Sequence, residues 1–250
     1  MTGRSAEFLF INNNNTRTKF ALCSRDALLE HRAVETSAVS IATVTEAIKG
    51  WGFEKIVIAS VVPRDVPTLL DSIRGKPHII VNHEIKLGIE IDFPKPGSVG
   101  ADRLANAAAI ADQIGDQPVI VVDFGTAVTF DIVDTRPAYV GGVIAPGLES
   151  MTRYLHQRTA LLPRIEIREP EGAIGKSTEH AMLSGAFHGY RGLVIEIINQ
   201  IEKELGSSAK IVATGGYADL ISRDLAVIDE VQPYLTMEGL RKIAILNFPL

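Results

Sequence analysis

A single cysteine, Cys23, occurs in 250 residues, which excludes an internal disulfide and a thiolate metal cluster. Its strand-like neighbours make it a small half-buried side chain. There is no basic excess either. Twenty-five Lys and Arg face 30 Asp and Glu, a net charge of −5, which lacks the footprint needed to bind nucleic acid. No apolar run approaches membrane-spanning length, and Phe8–Ile11 is too short for a signal-peptide core. These absences predict a cytoplasmic protein with no membrane and no nucleic-acid partner. The histidines (His31, His78, His83, His156, His180, His188) lack metal-ligand spacing. A Walker loop and a Rossmann glycine fingerprint are missing too. What remains, 46% hydrophobic and 22% charged residues, is an ordinary globular balance suited to one large domain or two small ones.

The pattern of elements begins, then begins again. Glu7–Asn12 and Arg17–Cys23 read as strands around a polar turn, with Ala27–Val34 a third. Thr43–Trp51 has helical spacing, and Lys55–Ser60 is a buried strand because β-branched residues fill both faces. Ala101–Ile114 is a strong helix with Leu104, Ala108, Ala111 and Ile114 on one face. Then Val119–Phe124, Val128–Val133 and Tyr139–Ile144 restart the strands, followed by helices at Gly147–Arg158 and Ser177–Leu205. Asn12–Thr18 and Asp123–Thr129 hold equivalent places: each ends an apolar strand, turns, and enters a second strand. Such a repeat predicts two related α/β halves, residues 1–116 and 117–250, facing each other across a central cleft.

Asp123-Phe124-Gly125-Thr126-Ala127-Val128-Thr129 is the most informative stretch. Gly125 lets backbone N–H groups approach an anion, Thr126 and Thr129 add hydroxyls, and Asp123 offers a carboxylate to a cation. Alone, it equally serves as an ordinary hairpin turn. Pro96-Gly97-Ser98-Val99-Gly100-Ala101-Asp102-Arg103 precedes the Ala-rich helix. Asp102 there either meets the helix dipole or accepts a substrate proton, with Arg103 binding a carboxylate or phosphate. Thr214-Gly215-Gly216 follows the strand Lys210–Ala213 and leaves room for a flat ring against the backbone. Ala181, Gly185 and Gly189 form a small-residue stripe suited to close helix packing, within the chain or across a dimer.

PGSVGADR, DFGTAVTFD, GGVIAPG (Gly141–Gly147), IGKST (Ile174–Thr178) and TGG, in this order along the chain, resemble the type III pantothenate kinases over nearly the whole chain. The resemblance implies two tandem ribonuclease H-like halves of the actin-like ATPase fold, with mixed sheets, and a homodimer. It implies phosphorylation of pantothenate by ATP, with Mg2+ and a monovalent cation, K+ or NH4+. Carried over by position, Asp102 is the general base; Phe93, Gly100, Ala101, Arg103 and Thr178 contact the substrate. Asn12, Asn13, Asn14, Asn15, Thr16, Arg17, Thr18, Lys19, Thr126, Gly215 and Gly216 contact ATP, and Asp123 holds the monovalent cation.

The first loop departs from the family's Asp-x-Gly-Asn-Thr. Asn15 and Thr16 match, Asn12 replaces the Asp and Asn14 the Gly. Asn tolerates the left-handed region that Gly supplies. An uncharged amide at residue 12 cannot hold Mg2+ as a carboxylate does, a difference of a few kcal/mol of barrier, on the order of a hundredfold in rate. The other reading is therefore a weakly active or inactive relative that binds pantothenate or nucleotide as a regulatory accessory protein.

Overall fold

The computed structural model describes residues 4–223 and 225–249. In chain order the first elements are β1 (Arg4–Ser5), β2 (Phe8–Asn13), β3 (Arg17–Cys23), β4 (Leu28–Glu35), α1 (Ile41–Ala47), β5 (Trp51–Gly52) and β6 (Lys55–Ser60). Then come α2 (Val66–Ser72), β7 (His78–Ile80), β8 (Glu90–Ile91), α3 (Ala101–Ile110), β9 (Val119–Phe124), β10 (Ala127–Val133) and β11 (Ala138–Pro146). The last are α4 (Leu148–Arg158), α5 (Thr178–Leu205), β12 (Lys210–Thr214), α6 (Ala218–Ser222), β13 (Glu230–Val231) and α7 (Leu235–Asn247). Two units emerge. One joins Met1–Gln113 to Pro137–Tyr139 and Tyr234–Leu250; the other joins Ile114–Arg136 to Val140–Pro233.

The first unit is built on a sheet of order β4-β3-β2-β6-β7, with β2 antiparallel to β3 and parallel to β6. Central β2 is buried throughout. Its Leu9 and Ile11 pack with Phe20, Leu22, Ile56 and Ile58 under Val44 and Leu69 of α1 and α2. Strand alternation turns Phe8, Phe10 and Asn12 to the other face, where α7 packs on β2 and α3 on β6. Helix α1 starts on a Ser40/Thr43 capping box and stops at Ala47, short of the predicted Trp51. Trp51 instead pairs with Arg4 in β5, with the Arg32 guanidinium 4.4 Å from its ring centroid. Helix α3 likewise ends at Ile110 and tightens into a 3-10 turn, Ala111–Gln113. It lies so close to α7 that any Cβ on Gly239 would collide with the Ala105 carbonyl.

The second unit carries strands in the order β13-β12-β9-β10-β11, with β9 antiparallel to β10 and parallel to β12. Ile120, Val122, Phe124 and Phe130 pack against Phe187, Tyr190, Val194 and Ile198 of α5. That helix opens on the Ser177 cap and closes at Gly206, whose φ of 71° suits glycine. Its small-residue stripe is exposed, and a Cβ on Gly185 or Gly189 would meet nothing within 4 Å. Packing of that stripe within the unit is therefore not what the glycines serve.

Candidate active site

In the first unit the strand ends of β2 and β6 carry the asparagine hairpin. Asn13, fully buried, accepts from Ser60 Oγ at 2.6 Å and donates to Thr18 Oγ1 at 2.8 Å and Asp65 Oδ2 at 3.2 Å. Thr18 in turn shares a 3.0 Å bond with Thr36, whose hydroxyl donates to the Asn14 carbonyl at 2.6 Å. The turn is closed by Asn14 N–H on the Arg17 carbonyl. Asn12 is buried at the same strand end, while Asn15, Thr16 and Arg17 are exposed and Lys19 is half-buried. Sequence reasoning missed Ser60, Asp65 and Thr36, which carry no local motif.

The loop Pro96–Arg103 reaches the same neighbourhood. Val61 donates its N–H to the Asn13 carbonyl, and its Cγ1 lies 3.5 Å from where a Gly100 Cβ would stand. Gly100 has an ordinary φ of −60°; it is needed for space, because that Cβ would fall 2.7 Å from Asp102 Oδ1. Asp102 sits in the first turn of α3 and accepts the Arg103 N–H at 2.8 Å. Burial outweighs that bond and the Arg103 charge, and pushes the Asp102 carboxyl above its ordinary value. The Arg103 guanidinium lies 5.7 Å from the ring centroid of Tyr139, which meets Phe93 edge-on at 6.1 Å. Ala101 is buried beside them. Tyr139 was also missed, since it arrives from β11, where Asp92 N–H bonds its carbonyl.

In the second unit three motifs meet at the β9–β10 hairpin. Gly125 N–H bonds the carbonyls of Asp123 and Ala127, both at 3.1 Å. Gly215, with φ of 96°, lies against it: a Cβ there would fall 2.5 Å from Asp123 Oδ1 and 2.6 Å from Phe124 N. Gly147 is as tightly placed from the other direction, against the Gly125 and Thr126 carbonyls. Thr126 is exposed, and its carbonyl accepts from Gly147 N–H and Ser150 Oγ. Thr129 uses its hydroxyl on buried Asp131 at 3.2 Å rather than on the turn. Burial, with the Asp123 charge adding to it, pushes the Tyr190 hydroxyl above its ordinary range. Gly216 is exposed next to Tyr217, whose hydroxyl bonds Glu149 at 3.4 Å across a cavity of about 380 Å³. Thr178 opens α5, exposed, and is not gathered into this hairpin's hydrogen bonds. Among the described residues no group of three or more His, Cys, Asp or Glu could hold a metal ion, and no helix is long and apolar enough to cross a membrane.

Comparison with known proteins places the chain in a family. The family model of the type III pantothenate kinases matches residues 8–200. A type III pantothenate kinase of Akkermansia muciniphila is 50% identical over 241 residues, covering 96% of this chain and 99% of that one. Another, from Methylacidiphilum infernorum, is 40% identical over 237 residues, covering 94% and 87%. A ROK family glucokinase from Streptomyces griseus, solved with glucose and AMPPNP, aligns with a TM-score of 0.56 at 13% identity, covering 96% and 98%. That likeness is one of fold alone: the actin-like ATPase architecture with two sheet-containing halves. The chain belongs to the type III pantothenate kinase family.

Proposed function

We propose that this chain transfers the γ-phosphoryl group of ATP to pantothenate, giving ADP and 4'-phosphopantothenate, the first step of coenzyme A synthesis. The observation that carries the reading is Asp102, a carboxylate made more basic by burial, on a loop that matches the family's. The pantothenate hydroxyl oxygen bonds to the γ-phosphorus, the bond from that phosphorus to the bridging oxygen breaks, and the hydroxyl proton passes to Asp102. Arg103, supported by the Tyr139 ring, presents a planar fork suited to the pantothenate carboxylate, and Phe93 covers its apolar part. Gly100, Ala101 and Thr178 complete the substrate contacts.

The ATP contacts we assign are the Asn12–Lys19 hairpin in the first unit, and Thr126 with the Gly215-Gly216 backbone in the second. Asp123, its carboxylate wedged beside Gly125 and Gly215, fits a monovalent cation, K+ or NH4+. Asn12 and Asn14 are neutral amides whose side-chain oxygens are buried, so this hairpin gives the nucleotide's Mg2+ no carboxylate ligand and the ion would be held by the phosphates themselves. Mg2+ would neutralise charge on the phosphates being transferred. A homodimer is supported by the bare stripe on α5 and by Leu161 and Ile174, exposed at 89% and 75%.

The test is pantothenate-dependent ADP formation with Mg2+ and K+. Asp102→Asn should lower kcat about 10²–10⁴-fold. Because Asp102 must be ionised to act and its pKa is raised, wild-type activity should climb with pH through a limb above the ordinary Asp value of 3.8. That limb should vanish in Asp102→Asn. A wild-type protein with no turnover sinks the kinase reading. The neutral Asn12 favours the second reading, an accessory protein that binds pantothenate or nucleotide. Binding without turnover, with turnover restored by Asn12→Asp, would favour it.

A further inference from the structure

Tyr139 is 0% exposed, yet it belongs to a stretch of only three residues, Pro137–Tyr139, that leaves the second half of the sequence to join the first unit. A short parallel ladder fixes it there. Ala138 stands opposite Glu90 and Tyr139 opposite Ile91, and the Asp92 N–H bonds the Tyr139 carbonyl at 2.9 Å. The same ladder delivers Phe93, two residues past Ile91, which meets the Tyr139 ring edge-on at 6.1 Å. Over that ring lies the Arg103 guanidinium, 5.7 Å from the centroid. Backbone pairing and burial thus immobilise the ring, whereas Arg103 hangs on a long stem with several rotatable bonds.

The contrast gives the ring a task. A guanidinium binds a carboxylate best as a flat, two-pronged fork held in one plane. The negative face of an aromatic ring attracts the cation and restricts its plane before any ligand arrives. Less freedom is then lost on binding. A neutral hydroxyl in place of the carboxylate draws little from such a fork, so the benefit falls on acids alone. Being fully buried, the ring cannot meet the substrate itself and acts through Arg103. We propose that Tyr139 is a positioning residue for acid selectivity: it fixes the Arg103 guanidinium so that the site prefers a carboxylate-bearing acceptor to its neutral counterpart. This rests on the pantothenate reading above.

The probe is pantothenyl alcohol, which keeps the hydroxyl to be phosphorylated and carries CH2OH in place of the carboxylate. The readout is the ratio of kcat/KM for pantothenate to that for the alcohol, which a general loss of folding or of catalysis would not move. Wild type should favour pantothenate by at least about tenfold. Tyr139→Phe keeps an aromatic face and should keep most of that preference. Trifluorinated phenylalanine at the same position keeps the ring but withdraws charge from its face, and should cut the preference about fivefold relative to Tyr139→Phe. In an Arg103→Leu background the same fluorination should move the ratio no further. An unchanged ratio on fluorination overturns the proposal, because the ring would then serve by shape alone. So does a further fall in the Arg103→Leu background, or a wild type that treats the two acceptors alike. A wild type that phosphorylates neither removes the kinase reading as well; the other failures remove only this inference.

Discussion

In the first hairpin Asn12 pairs with Lys19 and Asn13 with Thr18, leaving residues 14–17 in the turn. In the second, Asp123 pairs with Thr129 and Phe124 with Val128, leaving residues 125–127. The match in sequence therefore slips by one position after the turn. The two are also held differently. Backbone does the holding in the second, where Gly147 and Gly215 press on the turn from nearby loops. Side chains do it in the first, through Asn13, Thr18, Thr36, Ser60 and Asp65. Neither turn needs its glycine position for a left-handed backbone. The positive-φ residues described are Pro137 and glycines 50, 75, 88, 141, 206 and 215, and neither Asn14 nor Gly125 is among them. Asn14 thus costs the first hairpin no backbone strain; it changes only how near a ligand can come.

The sharpest way to break the second arrangement is Gly215→Ala. Both its φ and the Asp123 oxygen oppose a Cβ, so a loss of about 3 kcal/mol or more is expected in urea unfolding, with weakened ATP binding. An unchanged midpoint would mean that the clamp is illusory. The matching blow to the first hairpin is Asn13→Ala, which leaves Ser60 and Thr18 without their shared partner. It should cost about 1–3 kcal/mol by the same measurement. Asn14→Gly should have the smallest effect, destabilising by roughly 0.5–1 kcal/mol through added freedom in the unfolded chain. A stabilised Asn14→Gly protein would show instead that the asparagine is strained.

Much of the fold was legible because burial leaves a local trace. The apolar runs at residues 8–11, 56–59 and 119–122 are fully buried strands, and Asp102 stands in the first turn of its helix as its sequence context suggests. The motifs were legible for the same reason: tight glycine turns repeat wherever backbone crowds backbone. What stayed hidden depends on distant residues. Nothing around Tyr139 tells that its ring lies between Arg103 and Phe93. Nothing around Asp65 points to the Asn13 amide. Trp51 lies outside its predicted helix, paired with Arg4 and under the Arg32 guanidinium, two partners distant in sequence that its local spacing does not reveal.

Helix α7 belongs to the first unit although almost the whole of the second precedes it in the chain. Thr236 donates to Asn106 on α3, Lys242 to the Ala109 carbonyl, and Arg241 to the Arg25 carbonyl. The order of synthesis is therefore the reverse of the order of completion. As the chain leaves the ribosome, the later-numbered unit has its core in hand while the earlier one still waits for α7. Until that helix docks, α3, the helix that carries Asp102, lacks a neighbour it packs against closely. The loop that carries Asp102 is thus completed by a helix that the chain reaches only after the whole second unit.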